Sequence, residues 1–398
     1  MQKRPPDLQN KSIILGVKID DRPLSFVMQK IDRALNSDQQ LKIYTPNPEI
    51  CLKAEQDEEY RNLLDKADIN IPDGFGLKLG AKILGETLEN RITGVDLSKN
   101  ILDEYKDKET SVYILLREDS LATKDDLKKY FKETYPNIKL NVGIINKDKY
   151  TECDDILNDI NDKKPDILFV TLGAPRQEIW IHRFIKLVPS VKVALGIGGT
   201  FDFLSGKMQR APKWMQQFGM EWFYRLYKEP SRLARIKNAT ADFLLACHKW
   251  KKRIDTTMRK NVLGVVVNRE GKYLIQKNAR LKNHWQFPQG GIDEDEKPEE
   301  AVIREVSEEV GISESLLRVI KKLPATHEYI WSKHFQLTRG YKGQQQIAYL
   351  IEFKGTDKDV DYKNSDEVED VRWIEKKEIL SNLHHVRKEF TRKFINHL

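Results

Sequence analysis

The chain has 398 residues, enough for two or three domains, with a formal net charge of +7 and charged residues at 32%. Its three cysteines, Cys51, Cys153 and Cys247, are far apart and odd in number, with no C-x-x-C pair or His/Cys cluster. That argues against a disulfide framework and a zinc site and fits a reducing cytoplasm. Met1–Ser12 is polar, without the apolar core of a signal peptide, and no apolar run approaches the ~20 residues needed to span a bilayer, so membrane contact is expected to be peripheral.

In chain order, residues 13–17 read as a strand, 23–35 as a helix and 41–44 as a second strand. That strand ends in Thr45-Pro46-Asn47-Pro48-Glu49, where two prolines fix a non-helical turn. A helix is expected from about residue 50 to 66, then a strand over 67–72 that runs into Asp73-Gly74-Phe75-Gly76. Further strands are read at 112–116, 138–142, 167–172 and 191–196, with helices at 124–134 and 177–187. This alternation predicts an α/β domain with a Rossmann-like, mainly parallel sheet. Ligands of such sheets bind beyond the carboxyl ends of the strands, which selects the loops 45–49, 73–76, 173–177 and 198–202.

From Ala211 the chain turns basic, aromatic and helical, punctuated by Pro212 and Pro230. Arg225, Arg232 and Arg235 fall near one helical face, with Trp222, Phe223, Leu226 and Tyr227 supplying apolar surface. Such an amphipathic appendage, residues 211–253, suits an anionic membrane surface. His248 to Arg259 is polar and basic and reads as the interdomain connection, with the linker itself at 254–258.

Six stretches carry a resemblance over roughly residues 12 to 250: TPNPEI (45–50), PDGFG (72–76), RITGVDL (91–97), LGAPRQE (172–178), GIGGTFDFLSGKMQRAPKWMQ (196–216) and EWFYRLYKEPSRLARI (221–236). They resemble the WecG/TagA/CpsF family of bacterial glycosyltransferases. The resemblance implies transfer of an N-acetylhexosamine-type sugar, N-acetylmannosamine or its uronic acid, from UDP to a polyprenyl-diphosphate-linked sugar. The reaction would run at the cytoplasmic membrane face in teichoic-acid or related surface-glycan synthesis. It also implies residue roles. Asp73 would be the general base, Thr45, Asn47 and Gln177 would hold sugar and acceptor, and Arg91, Arg225, Arg232 and Arg235 would meet the diphosphate. Gly198 and Gly199 would let backbone amides approach the nucleotide. No cofactor is expected in this domain. One departure stands out: family members often have glycines after the strand at Val112, where this chain has Leu116-Arg117-Glu118.

In the second half, 261–268 reads as a strand, Arg269-Glu270-Gly271 as a turn and 273–276 as the returning strand of a hairpin. Strands are also read at 344–353 and 371–374, and a closing helix at 387–396. Gly290, Glu296, Arg304, Glu305, Glu308, Glu309, Gly311 and Ile312 follow G-x5-E-x7-R-E-U-x-E-E-x-G-U, where U is apolar. Pro298 opens a helix whose three- and four-residue spacings bring Glu305, Glu308 and Glu309 together, and bunched carboxylates suit hard divalent ions. Arg304 is placed to pair with Glu296 or Glu300. The pattern is that of the Nudix hydrolases, which implies an α/β/α sandwich over residues 259–398 and hydrolysis of a nucleoside diphosphate linked to another group. It also implies Mg2+ or Mn2+ on Glu305, Glu308 and Glu309, with Glu305 and Glu308 among the catalytic groups.

WQFPQGG, GQQQIAYLIEF, the NREG turn and Arg259 resemble the branch of RNA pyrophosphohydrolases and dinucleoside polyphosphate hydrolases. There Glu367 would be a further ligand or the base, and Arg259 a substrate contact. His327 and His334 lack metal spacing and read as structural. Together these readings describe a bifunctional enzyme, peripheral on the inner face of the cell membrane and able to form a homo-oligomer. Its partners would be a UDP-sugar, a polyprenyl-diphosphate acceptor and a nucleotide or RNA 5′ end. The alternative is that only the Nudix half is catalytic and the first half is a nucleotide-sugar-binding or scaffold module.

Overall fold

The computed structural model describes residues 9–212, 215, 224, 241–365 and 367–398. The amphipathic stretch with Arg225, Arg232 and Arg235 therefore lies outside the described residues. The chain divides into two compact units, residues 1–252 with 337–340, and 253–336 with 341–398.

The first unit opens with a hairpin, β1 (Lys11–Ile14) and β2 (Val17–Asp20). The single strand expected at 13–17 is thus broken at its centre. Leu15 and Gly16 take positive φ (49° and 83°), the geometry of a two-residue hairpin turn. Helix α1 (Leu24–Leu35) follows, then β3 (Leu41–Tyr44). The expected helix at 50–66 is two helices, α2 (Pro48–Gln56) and α3 (Glu58–Leu64), because Asp57 is extended and caps Tyr60 N–H at 2.9 Å. Next come β4 (Ile69–Asn70), α4 (Gly76–Leu84), α5 (Gly94–Tyr105), β5 (Ser111–Arg117), α6 (Lys124–Thr134), β6 (Lys139–Ile145), α7 (Asp154–Lys163), β7 (Ile167–Val170), α8 (Arg176–Phe184), β8 (Val193–Gly196) and α9 (Thr200–Leu204).

Strands β3 to β8 form one parallel sheet in the order β4-β3-β8-β7-β5-β6. Both faces are buried, which is why its strands read as continuous apolar runs. One face packs Ile114, Phe169 and Leu195 against Val27 and Ile31 of α1, Leu97 and Ile101 of α5, and Leu127 and Phe131 of α6. The chain leaves β5 toward β6 and β7 toward β8, in opposite directions, so the carboxyl ends of β5 and β7 frame a crevice.

Helix α10 (Phe243–Thr256) ends one residue before β9 (Met258–Val267). Residues 254–258 are therefore the end of a helix and the start of a strand, where a linker was expected. Cys247, Trp250 and Ile254, three and four residues apart, form a buried stripe that the surrounding lysines conceal in the sequence. The second unit adds β10 (Tyr273–Asn278), β11 (Trp285–Gln286), β12 (Gln289–Gly291), α11 (Pro298–Val310), β13 (Leu317–Ile330), α12 (Lys333–Arg339, shared with the first unit), β14 (Gly343–Phe353), β15 (Val368–Ile374) and α13 (His385–Phe394).

Its sheet runs β11-β10-β9-β14-β13, with β12 on β9 and β15 on β10, and only β9 and β14 are parallel. Along β9 and β14 the side chains alternate between the two faces. Val262, Val266, Tyr349 and Ile351 meet Val302, Val306 and Val310 of α11, while Leu263, Val265, Ala348 and Leu350 meet Phe390 and Phe394 of α13. This is the expected α/β/α sandwich. Strand β13 had no sequence signal, because register shifts interrupt it twice and most of its side chains are exposed.

His284 shows how tightly α13 closes. Its ring is 6% exposed, stacks on His384 at 4.2 Å and accepts a hydrogen bond from Arg387 Nε at 3.3 Å. Burial, then the Arg387 charge and His384, push its pKa from 6.5 down to about 4. Across that window the unfolded chain takes up a proton that the folded chain refuses, so stability falls as pH drops from 6.5 to about 4 and is flat with respect to this group above 6.5. His284→Gln should flatten the acid limb of the unfolding temperature against pH. An unchanged limb would mean that the ring is not held neutral.

Candidate active sites

In the first unit the loops at the carboxyl edge of the parallel sheet are bound to one another. Thr45, 5% exposed at the end of β3, donates its hydroxyl to the Gly196 carbonyl of β8 at 2.8 Å. Asn47 caps α2 by accepting from Ile50 N–H at 2.9 Å, with Pro48 at the first helical position. The Asp73 amide donates to the Pro46 carbonyl at 2.9 Å, which fixes the loop after β4 beside the loop after β3. The half-buried Asp73 carboxylate accepts from Gly94 N–H at 3.3 Å, at the amino end of the twelve-residue α5, where the helix dipole favours negative charge. Gly74, with φ 111°, makes the turn that follows.

Arg91 joins through the next hydrogen bond, from Ile92 N–H to the Pro72 carbonyl at 3.1 Å. Two residues on, Thr93 caps α5. Arg210, which the sequence reading did not single out, clamps this turn. Its guanidinium reaches Asp96 Oδ1 at 2.5 Å, Asp96 Oδ2 at 3.1 Å and Thr93 Oγ1 at 3.1 Å. Burial opposes the Asp96 charge, but the hydrogen bonds from Arg210 and Thr93 outweigh it and hold the carboxyl below its ordinary range. The Thr93-x-x-Asp96 spacing marks the helix cap, but its clamp comes from 114 residues away and leaves no local signal.

Gln177, 2% exposed on α8, donates through Nε2 to Glu178 at 2.7 Å and accepts through Oε1 from Gly198 N–H at 2.9 Å. The Gly198 amide, expected to be open toward a nucleotide, is thus taken by Gln177. Gly199 lies against Asp202, whose Oδ1 accepts from Ala122 N–H at 2.9 Å. Thr45, Asn47, Asp73, Arg91, Gln177, Gly198 and Gly199 accordingly gather on one edge of the sheet. At the departure Leu116-Arg117-Glu118, charge pairs stand where glycines were expected. Arg117 and Lys147 both pair with Asp119, and Glu118 accepts from Asn146 at 2.6 Å. A cavity of about 750 Å3 lined by Lys11, Arg22, Lys30, Arg33 and Leu41 lies at the other end, by the amino termini of β3 and β4.

In the second unit Arg304 organises the Nudix box. Its guanidinium meets Glu296 at 2.8 and 2.9 Å, the Gly291 carbonyl at 3.0 Å, Glu305 at 3.0 Å and Glu308 at 3.2 Å. The Glu296 pairing expected from spacing is present and bidentate, whereas Glu300 turns to the Lys297 backbone and accepts from its N–H at 3.4 Å. Hydrogen bonds from Arg304 hold the Glu296 carboxyl below its ordinary range. Two glycines are sterically required. A side chain at Gly290 would overlap the Glu305 carboxylate, and one at Gly311, which ends α11 with φ 67°, would overlap the Asp361 carbonyl.

The three box glutamates divide in burial. Glu308 is exposed, Glu305 is half-buried and Glu309 is buried. Glu309 accepts from Gln289 N–H and Gln276 Nε2, both at 2.8 Å. Burial raises the Glu305 carboxyl, and burial together with the charges of Glu305 and Glu367 pushes Glu309 up to about 8. Among the described residues no three His, Cys, Asp or Glu side chains converge on one point, because Arg304 stands among Glu296, Glu305 and Glu308. The donor chemistry nevertheless fits a hard divalent ion: the ligands are all carboxylates, and the buried Glu309 is met by amide donors rather than by a guanidinium.

Glu367, just before β15, pairs with Arg280 at 3.4 Å, and its charge is felt at Glu309. Arg259 lies against Gly291 and beside Glu305. Sequence reasoning missed the amide row behind them, in which Gln346 donates to Asn261 at 2.6 Å and to Gln289 at 2.7 Å. His327 stacks on Phe390 at 5.0 Å.

Residues 12–257 match the model of the Glycosyl transferase WecG/TagA/CpsF family, and residues 257–394 match the NUDIX domain model. The chain is 34% identical to an N-acetylglucosaminyldiphosphoundecaprenol N-acetyl-beta-D-mannosaminyltransferase of Bacillus spizizenii over 230 residues, 58% of this chain and 87% of that protein. It is 29% identical to the protein of the same name from Staphylococcus aureus over 245 residues, 61% of this chain and 93% of that one. Among solved structures, an Ap4A hydrolase of C. elegans in a binary complex is similar at 22% identity and a TM-score of 0.28, covering 34% of this chain and 94% of that one. The chain belongs to the WecG/TagA/CpsF glycosyltransferase family and carries a Nudix domain in its second unit.

Proposed function

We propose that the first unit transfers N-acetylmannosamine, or its uronic acid, from UDP to a polyprenyl-diphosphate-linked N-acetylglucosamine in teichoic-acid or related surface-glycan synthesis. The names of the relatives support the sugar and the acceptor. The observation that carries the reading is the Asp73 carboxylate, held by Gly94 N–H in the middle of the gathered loops. Asp73 takes the proton of the acceptor hydroxyl, the freed oxygen bonds to the anomeric carbon, and the bond from that carbon to UDP breaks. Thr45, Asn47 and Gln177 orient the sugar and acceptor, while Gly198 and Gly199 shape the turn that faces the nucleotide. Arg91, with Arg225, Arg232 and Arg235 from the appendage, offsets the diphosphate charge. In this reading the protein meets its lipid-linked acceptor at the cytoplasmic face of the membrane and binds there peripherally, which the acceptor named for the relatives supports. Among the described residues no helix is long and apolar enough to cross a membrane.

The second unit, in this reading, hydrolyses a nucleoside diphosphate-X bond, X being an RNA 5′ end or a second nucleoside phosphate. Glu305, Glu308 and Glu309, with Glu367, would hold Mg2+ or Mn2+, which when bound supplies positive charge to pyrophosphate oxygens and acidifies water. Arg259 binds phosphate, Arg304 orients the box carboxylates, and Glu305 or Glu367 accepts the proton of the attacking water.

Asp73→Asn should lower transfer of sugar to a lipid-diphosphate acceptor by about 100-fold or more while leaving hydrolysis intact. Retained transfer would show that Asp73 is not the base, whereas no transfer even by the wild type would favour the reading of the first unit as a sugar-nucleotide-binding or scaffold module. Conversely, Glu308→Gln or EDTA should abolish hydrolysis and spare transfer. Because the Glu308 side chain is 61% exposed, its loss should barely move the unfolding temperature, so a large shift would assign it a structural role instead. If the nucleotide substrate is an RNA end, binding should weaken steeply with added salt; a flat dependence points to a small dinucleotide.

A further inference from the structure

We infer that Glu178 is a positioning residue of the transferase site: it fixes the direction of the Gln177 amide and, through it, the turn at Gly198. The inference rests on the transferase reading only for its catalytic consequence. Glu178 is fully buried on α8, yet it follows Gln177 directly and no role in the reaction has been given to it.

Both its carboxylate oxygens are used. Oε1 accepts from Gln177 Nε2 at 2.7 Å, and Oε2 accepts from Tyr60 Oη at 3.1 Å. The Glu178 carbonyl accepts from Tyr44 Oη at 3.2 Å, so α3 and β3 converge on the same residue.

A side-chain amide has two ends of opposite character, a double donor and an acceptor. With its NH2 end committed to Glu178, Gln177 must turn its oxygen toward Gly198, whose N–H it accepts at 2.9 Å. The Gln177 side chain packs against Gly196, where an added Cβ would lie only 3.1 to 3.2 Å from three of its atoms, so it has little room to move sideways. Flipping remains the one inexpensive motion, and Glu178 forbids it: a reversed amide would aim its oxygen at the carboxylate and its NH2 at the Gly198 N–H. Gly198 itself has φ 51°, a backbone state few other residues share, and its amide has this single side-chain acceptor to hold it. The relay therefore runs from Tyr60 through Glu178 and Gln177 to the turn that faces the donor nucleotide.

The test uses the full-length protein with Glu178→Gln and Glu178→Leu. Glutamine can still accept from Gln177 and donate to Tyr60; leucine can do neither. Backbone hydrogen exchange of the peptide around residues 196–200, followed by mass spectrometry, should speed up about tenfold in Glu178→Leu, the size of one lost hydrogen bond, and stay near wild type in Glu178→Gln. The KM for the donor should rise about tenfold in the leucine variant, kcat should change less, and glutamine should restore both. Equal exchange in all three proteins, or equal loss in both variants, overturns the inference. If Glu178→Leu does not fold, the wild type decides. The Gln177 side-chain amide, followed by NMR, should exchange far more slowly than free glutamine, and exchange at the free rate overturns the assignment. Absence of transfer by the wild type would count against the transferase reading alone, and the exchange results would still decide the role of Glu178.

Discussion

All six strands of the first sheet run parallel, so their carboxyl ends leave along a single edge, and the arrangement of the first unit depends on that constraint. Loops that are 20 to 151 residues apart in sequence become neighbours there, and short hydrogen bonds fasten them: Thr45 to Gly196, Asp73 to Pro46, Ile92 to Pro72, Gln177 to Gly198. Each bond is worth on the order of 1 kcal/mol. Their collective effect is to hold the loops that carry Asp73, Arg91 and Gln177 along one edge of a rigid frame. Asp73 gains from this twice, since the Gly94 amide fixes the carboxylate and the amino end of α5 favours its charge.

The second unit solves a different electrostatic problem. Glutamates 305, 308 and 309 on one helix repel one another, and burial raises the cost for two of them. Arg304 answers with a planar fork that engages Glu296, Glu305, Glu308 and the Gly291 carbonyl at once, a geometry that lysine could not supply. Glu309 is left deep in the wall with an elevated pKa, its charge held by amide donors. The same crowding that makes this wall costly in isolation makes it receptive to a divalent cation.

Much of this was legible in the sequence where local chemistry and global packing agree. The Nudix box is such a place, because every fixed residue has a steric or ionic reason visible in its neighbours: Gly290 makes room for Glu305, Gly311 for Asp361, and Arg304 pairs with Glu296. The parallel sheet was legible for the same reason, since doubly buried strands must be apolar throughout. Three features resisted. Strand β13 is mostly exposed, and two register shifts break its alternation. The stripe Cys247, Trp250 and Ile254 is interleaved with lysines and straddles the boundary read between the basic appendage and the linker. Arg210, Glu178 and the row of Asn261, Gln289 and Gln346 act through partners distant in sequence, so their importance arises only from the fold.

The two proposed activities need not share a substrate. Sugar transfer from a UDP-sugar releases UDP, whereas Nudix hydrolysis of that same donor would yield UMP and a sugar phosphate and would work against transfer. The account holds that they are separate reactions on one chain. Mass spectrometry of the products formed by the purified protein with Mg2+ and a panel of UDP-sugars, with and without a lipid-diphosphate-sugar acceptor, tests this most directly. UDP formed only when acceptor is present, with no UMP, is the predicted result. UMP and sugar phosphate that vanish in EDTA would show the second unit consuming the donor of the first, and would contradict it.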